Sequence, residues 1–99
     1  MRAGYVGILS FELHFPESGS LKHKRRHVKS AKEQLRNRFG ASVAEVAHHE
    51  LWQRAGLAAA LAAREHRELV ELLDAAERYL CAQEYELLGV DREVIALER

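Results

Sequence analysis

The sequence holds one cysteine, one proline, one tryptophan and no net charge across 99 residues. Each scarcity excludes something. Cys81 alone cannot close an internal disulfide or form a Cys-x-x-Cys pair, and nothing else points to an oxidising compartment. No apolar run approaches the ~18 residues of a membrane span. Behind Arg2 the chain alternates without a small-residue cleavage site, so no signal peptide is expected and the cytoplasm is the default location. Glycine-rich phosphate loops, a G-x-S-x-G elbow and a nucleophile–base pair are all missing, so no catalytic residues, cofactor or metal are expected. At 47% hydrophobic and 30% charged residues the composition is that of a globular chain rather than a disordered one. The length suits one domain over residues 1–99, burying roughly 60% of the surface its unfolded chain exposes.

The zero net charge hides a strong asymmetry. Residues 1–54 carry ten Lys/Arg against five Asp/Glu, and residues 55–99 carry five against ten. Binding follows local potential, so the neutral total says little about partners. The segment Lys22–Arg38 is the most concentrated, with eight basic residues and a single acid, Glu33.

From Tyr5 to Phe15, apolar Tyr5, Gly7, Leu9, Phe11, Leu13 and Phe15 alternate with Val6, Ile8, Ser10, Glu12 and His14. This is the period of a half-buried strand, ended by Pro16. Ser20 suits a helix N-cap and Gly40 a C-cap, and between them Leu21, Val28, Leu35 and Phe39, with Ala31, mark one face. Ala41–Ala47 alternates again and predicts a short strand. Rules conflict over the next stretch. Alanine content favours one helix from Glu50 to Cys81. Gly56, a missing cap and the excessive length favour a small-residue strand over Arg54–Ala63, then a helix over Glu65–Ala82 with Leu69, Leu73, Ala76 and Leu80 as its stripe. Tyr85–Leu97 reads as a last strand interrupted by Gly89 and Asp91-Arg92. With the strand option the order is βαββαβ, a ferredoxin-like α+β sandwich with an antiparallel sheet and both helices on one face. The even face of the first strand is then open to solvent or covered by a partner.

The segments LHFPESGSLKHKR (Leu13–Arg25) and AEVAHHELWQRA (Ala44–Ala55) resemble the YlxP-like family of small bacterial proteins of unknown function. The likeness covers nearly the whole chain. It implies the ferredoxin-like fold, with the alanine-rich stretch as third strand, and a gene context near translation initiation and ribosome maturation factors. It implies no reaction and no catalytic residues. His23 stands where the family commonly has an acid, and Ala47-His48-His49-Glu50 departs from its acid-flanked histidine.

On the first helix, Lys22, Arg25, Arg26, Lys29, Lys32 and Arg36 share a sector at steps of three and four, forming a ridge about 21 Å long at ~1.5 Å per residue. Cations are unfavourable at a helix N-terminus, whose free N–H groups instead suit anions such as phosphate. Together with Lys24 these residues form the candidate nucleic-acid surface, the partner being RNA or a ribosomal particle. The competing reading is a solvated face neutralised by the acidic second helix through Glu68, Glu71 and Asp74. Lys24 falls on the apolar stripe, where the simplest reading is snorkelling, with Glu12, Glu45 or Glu50 available as partners. An RNA-recognition-motif mode is excluded, because the open face of the first strand offers Ser10, Glu12 and His14 rather than stacking aromatics.

Glu12, His14, Glu45, His48, Glu50, Trp52, Gln53 and Arg54 make a secondary candidate site. His48 and His49, as strand neighbours, would point apart and not share a metal. Trp52 is either a stacking platform for a base or a hairpin residue packed over the sheet edge. Cys81 reads as a small packing residue. The alternative function is protein interaction, most simply a homodimer through Val6 and Ile8 or the last strand.

Overall fold

The computed structural model describes residues 4–98, which leaves Arg2 outside the described residues. The elements are β1 (Gly4–His14), α1 (Leu21–Phe39), β2 (Ser42–Ala47), β3 (Arg54–Ala63), α2 (His66–Cys81) and β4 (Glu86–Leu97). The strands form one antiparallel sheet in the order β2-β3-β1-β4. With both helices on one face this is the ferredoxin-like βαββαβ arrangement.

Tertiary context decides the alanine-rich stretch against its helix propensity. β3 is central, paired with β1 on one side and β2 on the other. Ala55, Leu57, Ala59 and Leu61 are buried beneath the helices, and small Ala58, Ala60 and Ala62 occupy the opposite face. A period-2 split into core and open face requires strand geometry, and the propensity cost of alanine is offset by burial on one side and a ladder on both edges.

The core lies between the odd face of β1 (Leu9, Phe11, Leu13), the matching residues of β3, Val28, Ala31 and Leu35 of α1, and Leu69, Leu73, Ala76 and Leu80 of α2. Helix α1 starts where Ser20 accepts from the His23 backbone N–H at 3.1 Å and stops at Gly40, whose left-handed φ of 71° lets its N–H reach Arg36 O. Its buried stripe is Lys24, Val28, Ala31 and Leu35. Leu21 and Phe39, expected on that face, are half-buried. On the far edge, β4 slips register against β1 between Ser10 and Glu12, and Gly89 takes φ 52° within that irregularity. Cys81 is exposed rather than a packing residue.

Candidate nucleic-acid interface

Helix α1 lies over the β2 side of the sheet and separates its functional residues by sector. Lys22, Arg25, Arg26, Lys29 and Arg36 are exposed and Lys32 is half-buried. Arg25, Lys29, Lys32 and Arg36, with Val28, Glu33 and Glu45, line an open depression of about 360 Å³. No acid stands in the helix's first turn. Among the described residues, none of these six cations is in ion-pair contact with a carboxylate.

Among the described residues, no ion pair joins the acidic second helix to this surface. Asp74 and Glu77 are both bound to Arg92 of β4, at 2.7 and 3.1 Å, and Glu71 lies 3.5 Å from Arg67 on its own helix. Burial draws the Arg92 guanidinium down, but its hydrogen bonds to Asp74 and Glu77 and their charges outweigh this and raise its pKa. The α1 sector that faces α2 carries Phe39, edge-on to Tyr79, and Arg38, stacked 4.7 Å above the same ring. Arg38 therefore lies outside the ridge.

Lys24 corrects the expected phosphate set. Its side chain is 1% exposed, so it neither snorkels nor reaches a ligand. Its ammonium donates to the backbone carbonyls of His48 (2.8 Å), His49 (3.3 Å) and Arg54 (3.1 Å), and Glu45 Oε2 lies 3.1 Å away. Three protons thus meet three carbonyls, with a carboxylate balancing the charge. Lys24 works as a clamp that fixes the β2–β3 connection beneath the first turn of α1.

That connection, residues 48–53, is a loop, so His48 and His49 are not strand neighbours as the sequence suggested. His48 adopts a left-handed φ of 63° and places Nε2 3.3 Å from Glu12 Oε1, while Arg54 pairs with Glu12 Oε2. His49 turns back to the Glu45 carbonyl at 3.1 Å. Glu12 Oε2 and Glu45 Oε2 are both enclosed, and each is held by its neighbouring cation without an aligned hydrogen bond. His14 bonds Glu86 at 2.7 Å on the same open face as Glu12.

The secondary candidate site is therefore split. Glu12, His48 and Arg54 meet on the open face, Glu45 lies on the helix side with Lys24, and Glu50 is exposed in the loop. Among the described residues no group of three or more His, Cys, Asp or Glu side chains could hold a metal ion. Gln53 Nε2 donates to Pro16 O (3.2 Å) and Ser18 O (3.4 Å), tying the loop to the segment before α1. Trp52 is 54% exposed rather than packed over the sheet edge. On α1 itself, His27 stacks on Phe15 with ring centroids 5.3 Å apart. Burial, then the charge of His23 and that of Arg26, hold its pKa below the ordinary histidine value, against an opposing pull from Glu84.

These features define a ferredoxin-like α+β domain with an uncompensated basic helix and a clamped loop at one end of its sheet. The chain belongs to the DUF503 family of proteins of unknown function, whose model matches residues 6–92, from the first strand into the last. Comparison with curated proteins returns no match.

Proposed function

We propose that this protein is a non-enzymatic, cytoplasmic RNA-binding module that lays the solvent-facing ridge of α1 along the phosphate backbone of ribosomal RNA. The observation that carries the reading is the set Lys22, Arg25, Arg26, Lys29, Lys32 and Arg36, grouped on one sector without an acid partner among the described residues. Phosphate contacts of this kind position a protein without reading bases, so little sequence specificity is expected. The resemblance to the YlxP-like family, with its translation-associated gene context, supports the ribosomal setting.

Titration of the protein into ribosomal RNA fragments and an unrelated RNA over a range of salt tests this. With ~4–6 phosphates neutralised, log affinity falls against log salt with a slope near −3 to −5. Combining Arg25→Glu, Lys29→Glu and Arg36→Glu weakens binding to every RNA and flattens the slope. Unchanged binding by that variant refutes the assignment of the ridge.

A protein-interaction reading has a separate observation in its favour. Of the seven exposed large hydrophobic residues among those described, four (Leu88, Val94, Ile95 and Leu97) lie on β4, an edge strand. Ile95 is opposite Val6 on the open face, which extends an apolar patch towards Ile8 and Ala62. A free apolar edge is a template for a further strand, here that of a second copy. Sedimentation equilibrium that finds only monomer at micromolar concentration removes this homodimer.

A further inference from the structure

The ridge accounts for backbone affinity and leaves the chain's one tryptophan unused. Trp52 and its neighbour Leu51 are 54% and 45% exposed, although the loop that carries them is firmly held. Lys24 bonds the carbonyls on both sides of it, Phe15 N donates to Gln53 O at 2.8 Å, Leu51 N donates to His48 O at 3.1 Å, and Gln53 grips Pro16 and Ser18. An indole presented to water on a pinned loop is preorganised for a flat partner, because little further freedom is lost on contact. Beside it lies a shallow basin of about 450 Å³ lined by His14, Leu51, Gln53 and Arg54. The same bonds tie the backbone of this loop to the start of α1, at the end of the sheet where the basic ridge begins, and the basin opens beside the loop on the sheet face that carries His14 and Arg54.

Resting on the RNA reading above, we infer that the ligand is single-stranded RNA, with its backbone on the first turns of α1 and an unpaired base stacked on Trp52. In a duplex the bases are stacked on each other and the deep groove of A-form RNA excludes side chains, so only an unpaired base can reach the indole. Stacking tolerates any base, in keeping with a surface that otherwise touches phosphates. The half-exposed guanidinium of Arg54, paired with Glu12, borders the basin.

Because Trp52 is the only tryptophan, emission excited selectively in the indole band, beyond the absorption of the three tyrosines, reports on Trp52 alone. The probes are a mixed-sequence single-stranded oligoribonucleotide of about 12 nucleotides and the duplex of the same strand. Saturation with the single strand quenches the emission and saturation with the duplex leaves it unchanged. Trp52→Ala lowers single-strand affinity about 5- to 100-fold at an unaltered salt slope, and Trp52→Phe restores most of it. Ridge-dependent binding with unquenched emission and unaltered Trp52→Ala affinity overturns the stacking inference while the ridge reading stands. No binding by the wild-type protein at low salt overturns both. Emission that responds to protein concentration and not to RNA also overturns the stacking, by placing Leu51 and Trp52 in a protein contact.

Discussion

Replacing Lys24 by methionine isolates what its ammonium contributes. The two side chains have similar volume, so the substitution opens little cavity and the loss is chiefly polar. It strips the carbonyls of His48, His49 and Arg54 of their shared donor and leaves Glu45 Oε2 enclosed beside an apolar methyl. Hydrogen bonds to a charged donor contribute about 1.5–3 kcal/mol each and do not add simply, while breaking a buried ion pair from one side costs about 3–5 kcal/mol. We therefore expect Lys24→Met to lose about 3–5 kcal/mol, from a total that for this chain length is roughly 5–15 kcal/mol. At about 4–8 °C per kcal/mol, the melting temperature falls by roughly 12–40 °C. Urea unfolding measures this directly, as a shifted midpoint at constant slope. Adding Glu45→Gln to Lys24→Met removes the stranded carboxylate, so the double variant is less destabilised than the sum of the single ones by about 1 kcal/mol or more. Well below its melting point, Lys24→Met keeps the wild-type salt slope for RNA, because Lys24 lies outside the proposed phosphate-binding ridge. A stability loss below about 1 kcal/mol would refute the buried clamp and return the ammonium to solvent.

Other perturbations follow from the same geometry. A Cβ added at Gly56 would stand 2.8 Å from the Ala47 Cβ across the β2–β3 register shift, so Gly56→Ala should cost about 1–3 kcal/mol in urea unfolding. Gly19→Ala, with nothing within 4 Å of the new carbon, serves as its control and should change stability by no more than about 0.5 kcal/mol. His27 has a folded-state pKa below its unfolded value of 6.5, so the unfolded chain takes up the proton first as pH falls. Its contribution is complete above pH 6.5 and is lost as pH drops from there through the folded value. His27→Gln should flatten the stability profile across that window, and identical profiles would remove the assignment. Exposed Cys81 should react with a thiol reagent in the folded protein at nearly the rate found in denaturant, whereas a packed thiol would be protected.

Much of the fold was legible because it rests on periodicity. β1 shows strict alternation, α1 shows a capped 3.6-residue repeat, and the α2 stripe of Leu69, Leu73, Ala76 and Leu80 is the one buried in the structure. β3 was legible only as a choice, since alanine is at home in a helix and fits a sheet only where both faces want small side chains. The register shifts opposite Glu12 and Ala47 depend on pairing between distant strands and leave no local pattern. The role of Lys24 was hidden for a related reason. Its stripe position signalled an anomaly, but the three carbonyls that satisfy it come from residues 24 to 30 positions away and turn towards it only in the folded loop. The outward stance of Trp52 was equally unreadable, because a hairpin indole can pack inward or stand in water with the same neighbours in sequence.

The energetics of the fold itself separate the basic residues of α1 into two groups. Lys24 has a structural explanation that is complete in donors, acceptors and charge. Lys22, Arg25 and Arg26 have none: Lys22 stands in the first turn, at the positive end of the helix dipole, where a cation costs a few tenths of a kcal/mol, and Arg25 and Arg26 follow directly behind it. Their same-face neighbours in the next turn include Lys29, so the i, i+3 and i, i+4 pairs at this end of the ridge are repulsive, and the first acid along the helix is Glu33, beside Lys29 and Arg36. Stability alone would favour acids in that first turn, and it holds none. Under the proposed function, an arrangement that works against the free protein becomes favourable when a polyanion supplies the missing charge. The penalty in the free state is then recovered on binding and adds to the salt dependence by which that binding is measured.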